Sequence, residues 1–399
     1  MSVDGSPTEM VSRQYGASML RIGLVCPYSL SVPGGVQGQV LGLARALRAM
    51  GHEARVLGPC DGPPPTSYVT PLGNSLPTTA NGSIAPLAPD PSAALRTMRA
   101  LRDEDFHVLH LHEPLAPGPT MTALTLDSTP MIGTFHAAGH SASYRMLNPV
   151  VRWLADHLDQ RVVVSKDALE LAQRYLGGEY DVLFNGVELD RYAAVAPWNG
   201  TGHPAGPTVF FCGRHEERKG LSVLLAALEH VPGDVRCWVA SDGPETARLQ
   251  QQYADNGRIE WLGRISDDDK IARLRAADVF CAPSLHGESF GVVLIEAMAA
   301  GTAVVASALD GYRNVATDGV DARLVVPGDV DDLGRALTQV LSDQALRRRL
   351  VDAGARRAQE FSMETLAQAY LDRYRRLAES PATVRHATVV RRWRRRLRL

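Results

Sequence analysis

Short apolar runs separated by stretches of helical periodicity recur along the whole chain, and this alternation predicts its architecture. Runs at 20–26, 54–57, 106–111, 131–135, 161–164 and 181–184 have the length of buried strands. After the first of them, Pro33-Gly34-Gly35 makes a turn into a helical stretch that reaches Met50, where Gly51 stops it. The alternation restarts with runs at 208–212, 235–240, 259–262, 279–282, 302–306 and 324–326. Strands that alternate with helices form parallel sheets covered on both faces. The expected fold class is therefore α/β, with two doubly wound, Rossmann-like domains facing across a cleft.

Breaks in the pattern set the expected boundaries. Residues 1–18 are polar and lack a signal-peptide core, so they read as a flexible leader, and Met19 is an alternative start to Met1. The first domain is expected over 19–200 and the second over 201–363, because 196–207 is rich in Pro and Gly and carries Trp198. A helix at about 364–384 is long enough to pack back on the first domain, and 385–399 remain as a tail. The Pro/Gly-rich section 59–91 is too long for a simple connector, and a functional part is expected in it.

Composition narrows the class. The chain has 399 residues, 45% of them hydrophobic, and no apolar run long enough to span a bilayer. Its five cysteines show no paired metal spacing, which predicts buried free thiols in a cytoplasmic protein. The net charge of −2 hides seven arginines in 385–399, so the remainder carries −9 (−2 minus 7). Val390, Trp393 and Leu397 recur at helical spacing among those arginines, the pattern of a basic amphipathic helix on an anionic membrane surface; a solvated tail has the same composition. An acidic body argues against a nucleic-acid partner.

Four clusters at predicted strand ends carry chemistry. The run from Glu288-Ser289-Phe290-Gly291 to Glu296 sets two carboxylates eight positions apart, one before a helix and one about two turns inside it. An ionised side chain among Val293, Leu294, Ala297 and Met298 is costly unless something polar binds it. Gly291 gives a ligand access to the helix start, where free N–H groups favour an anion. Gly213-Arg214-His215-Glu216-Glu217-Arg218-Lys219-Gly220 follows the 208–212 strand; Arg214 can fork onto phosphate oxygens and Lys219 adds a point charge. A solvated charge run would look the same. Gly34 and Gly35 let backbone amides approach a diphosphate, although an ordinary turn needs them too. His136, in Thr134-Phe135-His136, is either a structural histidine or a group beside a sugar. His110 and His112 would share one face of their strand, which makes a zinc pair conceivable, but no third ligand is evident. The run Asp267-Asp268-Asp269 after Ser266 reads as a helix cap rather than a magnesium site.

Taken together these motifs resemble the family-four retaining glycosyltransferases of the GT-B fold, over about residues 20–374. Within them, "RIGLVCPYSLSVPGGVQ", "HLHEP", "TFH" and "GESFGVVLIEAMAAGTAVVAS" are most similar to the actinobacterial phosphatidylinositol mannosyltransferases. The resemblance implies transfer of a hexose, mannose from GDP-mannose, to a membrane-associated acceptor, with phosphatidylinositol first among the candidates. It implies that Arg214 and Lys219 neutralise the leaving diphosphate, Glu288 binds the sugar hydroxyls and Glu296 the ribose. Ser289, Phe290 and Gly291 complete the donor side, and Gly35 gives the diphosphate room. His136 would sit beside the reacting sugar, with Tyr28, Gln37 and Asn81 on the acceptor side. No cofactor or protein-bound metal is required, and magnesium accompanying the nucleotide sugar is left open. A peripheral place on the inner face of the cell membrane follows from the acceptor. The chain departs from the family where Pro86 and Ser141 replace basic residues of the acceptor side. Rival readings are another nucleotide sugar, such as UDP-glucose or UDP-N-acetylglucosamine, with a different acceptor, or a non-catalytic sugar-nucleotide binding protein. An epimerase or phosphorylase on the same fold is more distant.

Overall fold

The computed structural model describes residues 19–80, 83–126, 129–136, 148–199 and 206–379. The leader, Asn81, Ser141 and the arginine-rich tail lie outside the described residues. Two compact units divide the chain: the described residues within 1–134, 149–161 and 367–399 form one, and those within 135–148 and 162–366 the other.

The first half contributes β1 (Arg21–Val25), β2 (Glu53–Gly58), β3 (Val69–Pro71), β4 (Leu76–Ala80), β5 (Ser83–Leu87), β6 (Val108–His112), β7 (Met131–Phe135), β8 (Gln160–Val163) and β9 (Asp181–Val182). Seven of these form one sheet in the order β3-β2-β1-β6-β7-β8-β9, while β4 and β5 pair as an antiparallel hairpin. The second half contributes β10 (Thr208–Cys212), β11 (Arg236–Ala240), β12 (Ile259–Gly263), β13 (Val279–Ala282), β14 (Ala303–Ser307) and β15 (Arg323–Val325). Their order is β12-β11-β10-β13-β14-β15, with parallel pairing throughout. Both sheets thus start in the middle, run outward to one edge, then restart beside the first strand. In such sheets a ligand site opens at the carboxyl ends of the two strands flanking the reversal. Those strands are β1 and β6 in the first sheet, and β10 and β13 in the second.

Alternation along β10 shows why this sheet reads as apolar runs. Val209 and Phe211 face one layer with Cys237, Val239, Leu221, Leu224 and Leu337. Phe210 points the other way, into a layer with Trp238, Phe280, Leu294 and Met298. Both faces are covered, so the positions after Thr208 are apolar on both sides of the strand.

The 59–91 section holds β3 and the hairpin, elements that the apolar pattern does not reveal. β3 has three residues and ends in Pro71, and Pro77 stands opposite Pro86 in the hairpin. Proline supplies no ladder N–H, so these strands lack the usual signature. Pro86 is tied down by its carbonyl, which accepts from the Ser29 amide at 2.9 Å.

Two polar devices fix the units internally. In the first, His110 is fully buried in β6, with Nδ1 2.6 Å from the Tyr374 hydroxyl and Nε2 2.7 Å from the Thr134 hydroxyl. Tyr370 reaches the same threonine at 2.9 Å, so the helix Met363–Glu379 docks here through two tyrosines. In the second unit, the Arg273 guanidinium lies 3.8 Å from the Trp198 ring and 4.5 Å from Trp238. The Trp198 amide donates to the Ala272 carbonyl at 2.9 Å, which seats the segment around Trp198 within this unit. All five cysteines are free thiols, and four are buried. Among the described residues no helix is long and apolar enough to cross a membrane.

Candidate active site

The second sheet builds the charged cluster. β10 and β13 lie side by side at its reversal, and the segments that leave them carry the cations and the carboxylate respectively. After β10 the chain passes through Arg214, a single turn at Glu217–Lys219 and Gly220, before the helix Leu221–Ala227. Gly220 has φ +68°, and any Cβ there would collide with the Pro283 carbonyl oxygen. The glycine lets the two segments touch, and the carboxylate after β13 comes within reach of Lys219.

Three contacts converge on one oxygen of Glu288. Lys219 Nζ lies 2.5 Å from Oε1, the Ser284 hydroxyl donates to it at 3.1 Å, and Arg218 Nη1 stands 3.5 Å away. Ser284 is itself held by the Tyr312 hydroxyl at 3.0 Å. A neighbouring carboxylate, Glu216, takes Arg214 Nε at 3.1 Å on one oxygen and Arg218 Nε at 2.9 Å on the other. The loop that carries Arg214 and Glu216 is anchored by fully buried His215, whose amide donates to the Asp242 carbonyl at 3.1 Å and whose Nδ1 meets the Thr246 hydroxyl at 2.8 Å. Burial pushes the His215 pKa below the ordinary value, so the ring stays neutral beside these charges.

Glu296 sits one turn inside the helix Val292–Ala299 rather than two. Its Oε1 is 2.9 Å from Lys270 Nζ, and the Tyr192 hydroxyl also bonds to it. Burial works against the Lys270 charge, but Glu296 outweighs it and the ammonium is held well above its usual range. Lys270 thus supplies the polar partner that an apolar-flanked carboxylate requires. The triple acid is a cap: the Ser266 hydroxyl accepts from the Asp269 amide at 3.0 Å, and Asp268 pairs with Arg191 at 2.9 Å.

Two donor-side residues also have packing roles. Phe290 is 1% exposed and stacks on Phe184 at 5.3 Å, so its ring belongs to the core and only its backbone can meet a ligand. Gly291 has φ +95°, and a Cβ there would press on Tyr312, so backbone geometry and packing demand the glycine without any ligand. Ser289, just before them, is half-buried.

In the other unit, Tyr28 and Gly35 follow β1, and Gly35 opens the helix Gly35–Ala49 with nothing within 4 Å of where a Cβ would lie. Gln37 is buried, and its amide donates to the Ser29 carbonyl at 3.3 Å, so it shapes the turn. Burial, reinforced by Glu113 and Cys26, raises the Tyr28 pKa far above the ordinary value and keeps the phenol protonated. Glu113, at the end of β6, is buried and has φ +49°, an uncommon conformation for a residue with a side chain. His136 directly follows β7 but falls in the same unit as the second sheet, and burial depresses its pKa to about 4, so it is neutral at neutral pH. Both ring nitrogens of His110 are occupied by hydroxyls, which removes it from any metal pair with His112.

The structure therefore brings Arg214, Lys219 and Glu288 together and adds Arg218, Glu216, Ser284 and Tyr312, which the sequence motifs did not single out. Arg218 and Glu216 stood inside the charged run; Ser284 and Tyr312 gave no signal of their own.

Known proteins match this chain along nearly its whole length. Residues 33–191 match the model for Glycosyltransferase Family 4, and residues 201–357 that for Glycosyl transferases group 1. The phosphatidyl-myo-inositol mannosyltransferase of Mycobacterium leprae is 40% identical over 378 residues, covering 92% of this chain and 100% of that protein. Its counterpart in Mycolicibacterium smegmatis is 40% identical over 87% of this chain and 92% of its own. Among solved structures, sucrose-phosphate synthase from Thermosynechococcus elongatus superposes with a TM-score of 0.72 over 90% of this chain and 99% of that one, at 21% identity, which speaks to the fold. Fold and sequence agree: the chain belongs to the phosphatidyl-myo-inositol mannosyltransferase family of GT-B glycosyltransferases.

Proposed function

We propose that the chain transfers mannose from GDP-mannose to phosphatidylinositol, with retention at the anomeric carbon, at a membrane surface. The observation that carries this reading is the convergence of Arg218, Lys219 and Glu288 beside Arg214 at the reversal of the second sheet. Breaking a glycosyl–phosphate bond builds positive charge on the sugar and negative charge on the departing diphosphate. Fixed cations at the diphosphate act mainly on that transition state and cost no reorganisation. Lys219 and Arg214 neutralise the leaving group; Glu288 accepts hydroxyls of the sugar through Oε2, which has no partner among the described residues. In this account protein cations take the electrostatic role that a metal fills in other transferases. Glu296, steadied by Lys270, holds the ribose.

Among the described residues no carboxylate emerges as a nucleophile, so the acceptor hydroxyl attacks from the side the diphosphate leaves, passing its proton to that leaving oxygen. Neutral His136 accepts a hydrogen bond from the reacting sugar and contributes no competing positive charge. Tyr28, as a protonated phenol, donates to the acceptor polyol, and Gly35 leaves space for the diphosphate.

The acceptor assignment rests on the relatives, and the membrane location on a surface feature. The helix Pro91–Glu104 carries Arg96, Arg99 and Arg102 beside Leu95 and Met98, which are 66% and 42% exposed. Cations flanking exposed apolar side chains suit an anionic lipid surface. A panel of nucleotide sugars tests the donor. GDP-mannose at a hundred times its dissociation constant stabilises the fold by about 2.7 kcal/mol; a rise in the unfolding midpoint with UDP-glucose and none with GDP-mannose would reject it.

A further inference from the structure

The charged run after β10 contains two carboxylates that the donor chemistry leaves without a task, Glu217, which is exposed, and Glu216, which is not. Glu216 is only 13% exposed, yet it sits among the cations meant for an anion. Such a carboxylate ought to weaken anion binding unless it does something else. Its geometry indicates what. Oε1 meets Arg214 Nε at 3.1 Å and Oε2 meets Arg218 Nε at 2.9 Å, so the two oxygens are divided, one to each arginine. Both guanidinium groups are gripped at Nε, the inner edge of the fork. Arg214 makes no second ion pair among the described residues, and the Nη1 of Arg218 stands beside Glu288. The loop backbone under Glu216 is pinned through His215, whose carbonyl also accepts the Glu245 amide at 2.9 Å.

We propose that Glu216 is a positioning residue of the diphosphate seat: one buried carboxylate orients the forks of Arg214 and Arg218 together, which makes Arg218 a third cation of that seat beside Lys219. An arginine on a half-exposed loop samples many rotamers, and ordering it on binding costs about 0.5–1.5 kcal/mol per side chain. A carboxylate that holds both forks in advance removes that loss, and this gain exceeds the repulsion it exerts on the ligand. The ligand class is a nucleoside diphosphate, free or as a sugar ester. The inference deepens the donor reading above and rests on it.

The test uses the full chain and isothermal titration with GDP and, separately, UDP. Glu216→Gln keeps the shape and removes the charge that serves two donors; Glu216→Ala removes the contact. Both are expected to weaken GDP binding about ten-fold with the unfolding midpoint nearly unchanged. Because Glu216 acts through the arginines, Glu216→Gln combined with Arg214→Ala is expected to lose clearly less than the product of the two single losses. A purely structural glutamate would give the full product and lower the midpoint, and that result overturns the proposal. Tighter GDP binding in both Glu216 variants would show a competitor for the cations, which also overturns it. If the unmodified chain binds neither GDP nor UDP, the donor reading falls and the proposal with it. If it binds GDP and Glu216→Gln binds equally well, the proposal alone falls.

Discussion

The candidate residues of the two units differ in kind. Those after β10 and β13 are ions that hold one another: Lys219 against Glu288 at 2.5 Å, Arg218 between Glu288 and Glu216, Arg214 on Glu216. Those after β1 and β6 in the other unit are Tyr28, Gln37 and Glu113, set in buried or half-buried surroundings and engaged by backbone or by burial itself. Stabilising a departing diphosphate needs fixed charge, and fixed charge leaves a motif in sequence and a cluster of ion pairs in structure. Recognising a polyol needs hydrogen-bonding groups of ordinary type, each also useful to the fold. The first kind of site is conspicuous and the second is hidden among structural contacts.

That contrast can be broken most forcefully on the charged side. Lys219→Ala and Glu288→Ala should each lower kcat with GDP-mannose by a hundred- to a thousand-fold, about 3–4 kcal/mol, with the fold intact by circular dichroism. Activity within three-fold of the unmodified chain would remove these residues from the chemistry. A smaller effect probes a neutral candidate, His136, by pH. Because burial sets the folded pKa of His136 near 4, below the ordinary 6.5 of an unfolded histidine, the unfolded chain takes up this proton first. The stability tied to the neutral ring is complete above pH 6.5 and is lost as pH falls toward 4, by about 3 kcal/mol in all. His136→Asn should therefore flatten the urea midpoint over that window; an identical slope in both proteins would place His136 in water. The smallest effect concerns the surface helix Pro91–Glu104. Arg99, 79% exposed in its side chain, is expected to contribute about 1 kcal/mol to binding on anionic vesicles, so Arg99→Gln should weaken sedimentation about five-fold at low salt. Equal binding to neutral and anionic vesicles would rule out this face.

Much of the fold was legible because both sheets bury both faces. β7, β10 and β13 coincide with the apolar runs at 131–135, 208–212 and 279–282. β3 and the hairpin escaped notice because prolines at 71, 77 and 86 erase the strand signal and because short edge elements have little apolar length. In the site, Arg214, Lys219 and Glu288 were readable from residue type and position after a strand. Lys270 was not, since a lysine in a helix such as Asp267–Ala276 looks solvated until Glu296 is found 2.9 Å away. Phe290 is the opposite case: it lies within the glutamate motif, and its ring packs on Phe184 and Phe361, a role the motif does not reveal. Ser284 and Tyr312 matter only through Glu288, and a relation between side chains 28 positions apart has no trace in one sequence.

The central claim is that the cations after β10 activate GDP-mannose for transfer to an inositol lipid. Its most direct measurement is the incubation of the purified full chain with GDP-[14C]mannose and phosphatidylinositol vesicles, followed by solvent extraction of the lipid. The account predicts a labelled, α-linked mannosyl lipid that depends on phosphatidylinositol and disappears with Lys219→Ala. Label that stays in the aqueous phase with a donor the protein demonstrably binds, or a β-linked product, would contradict it.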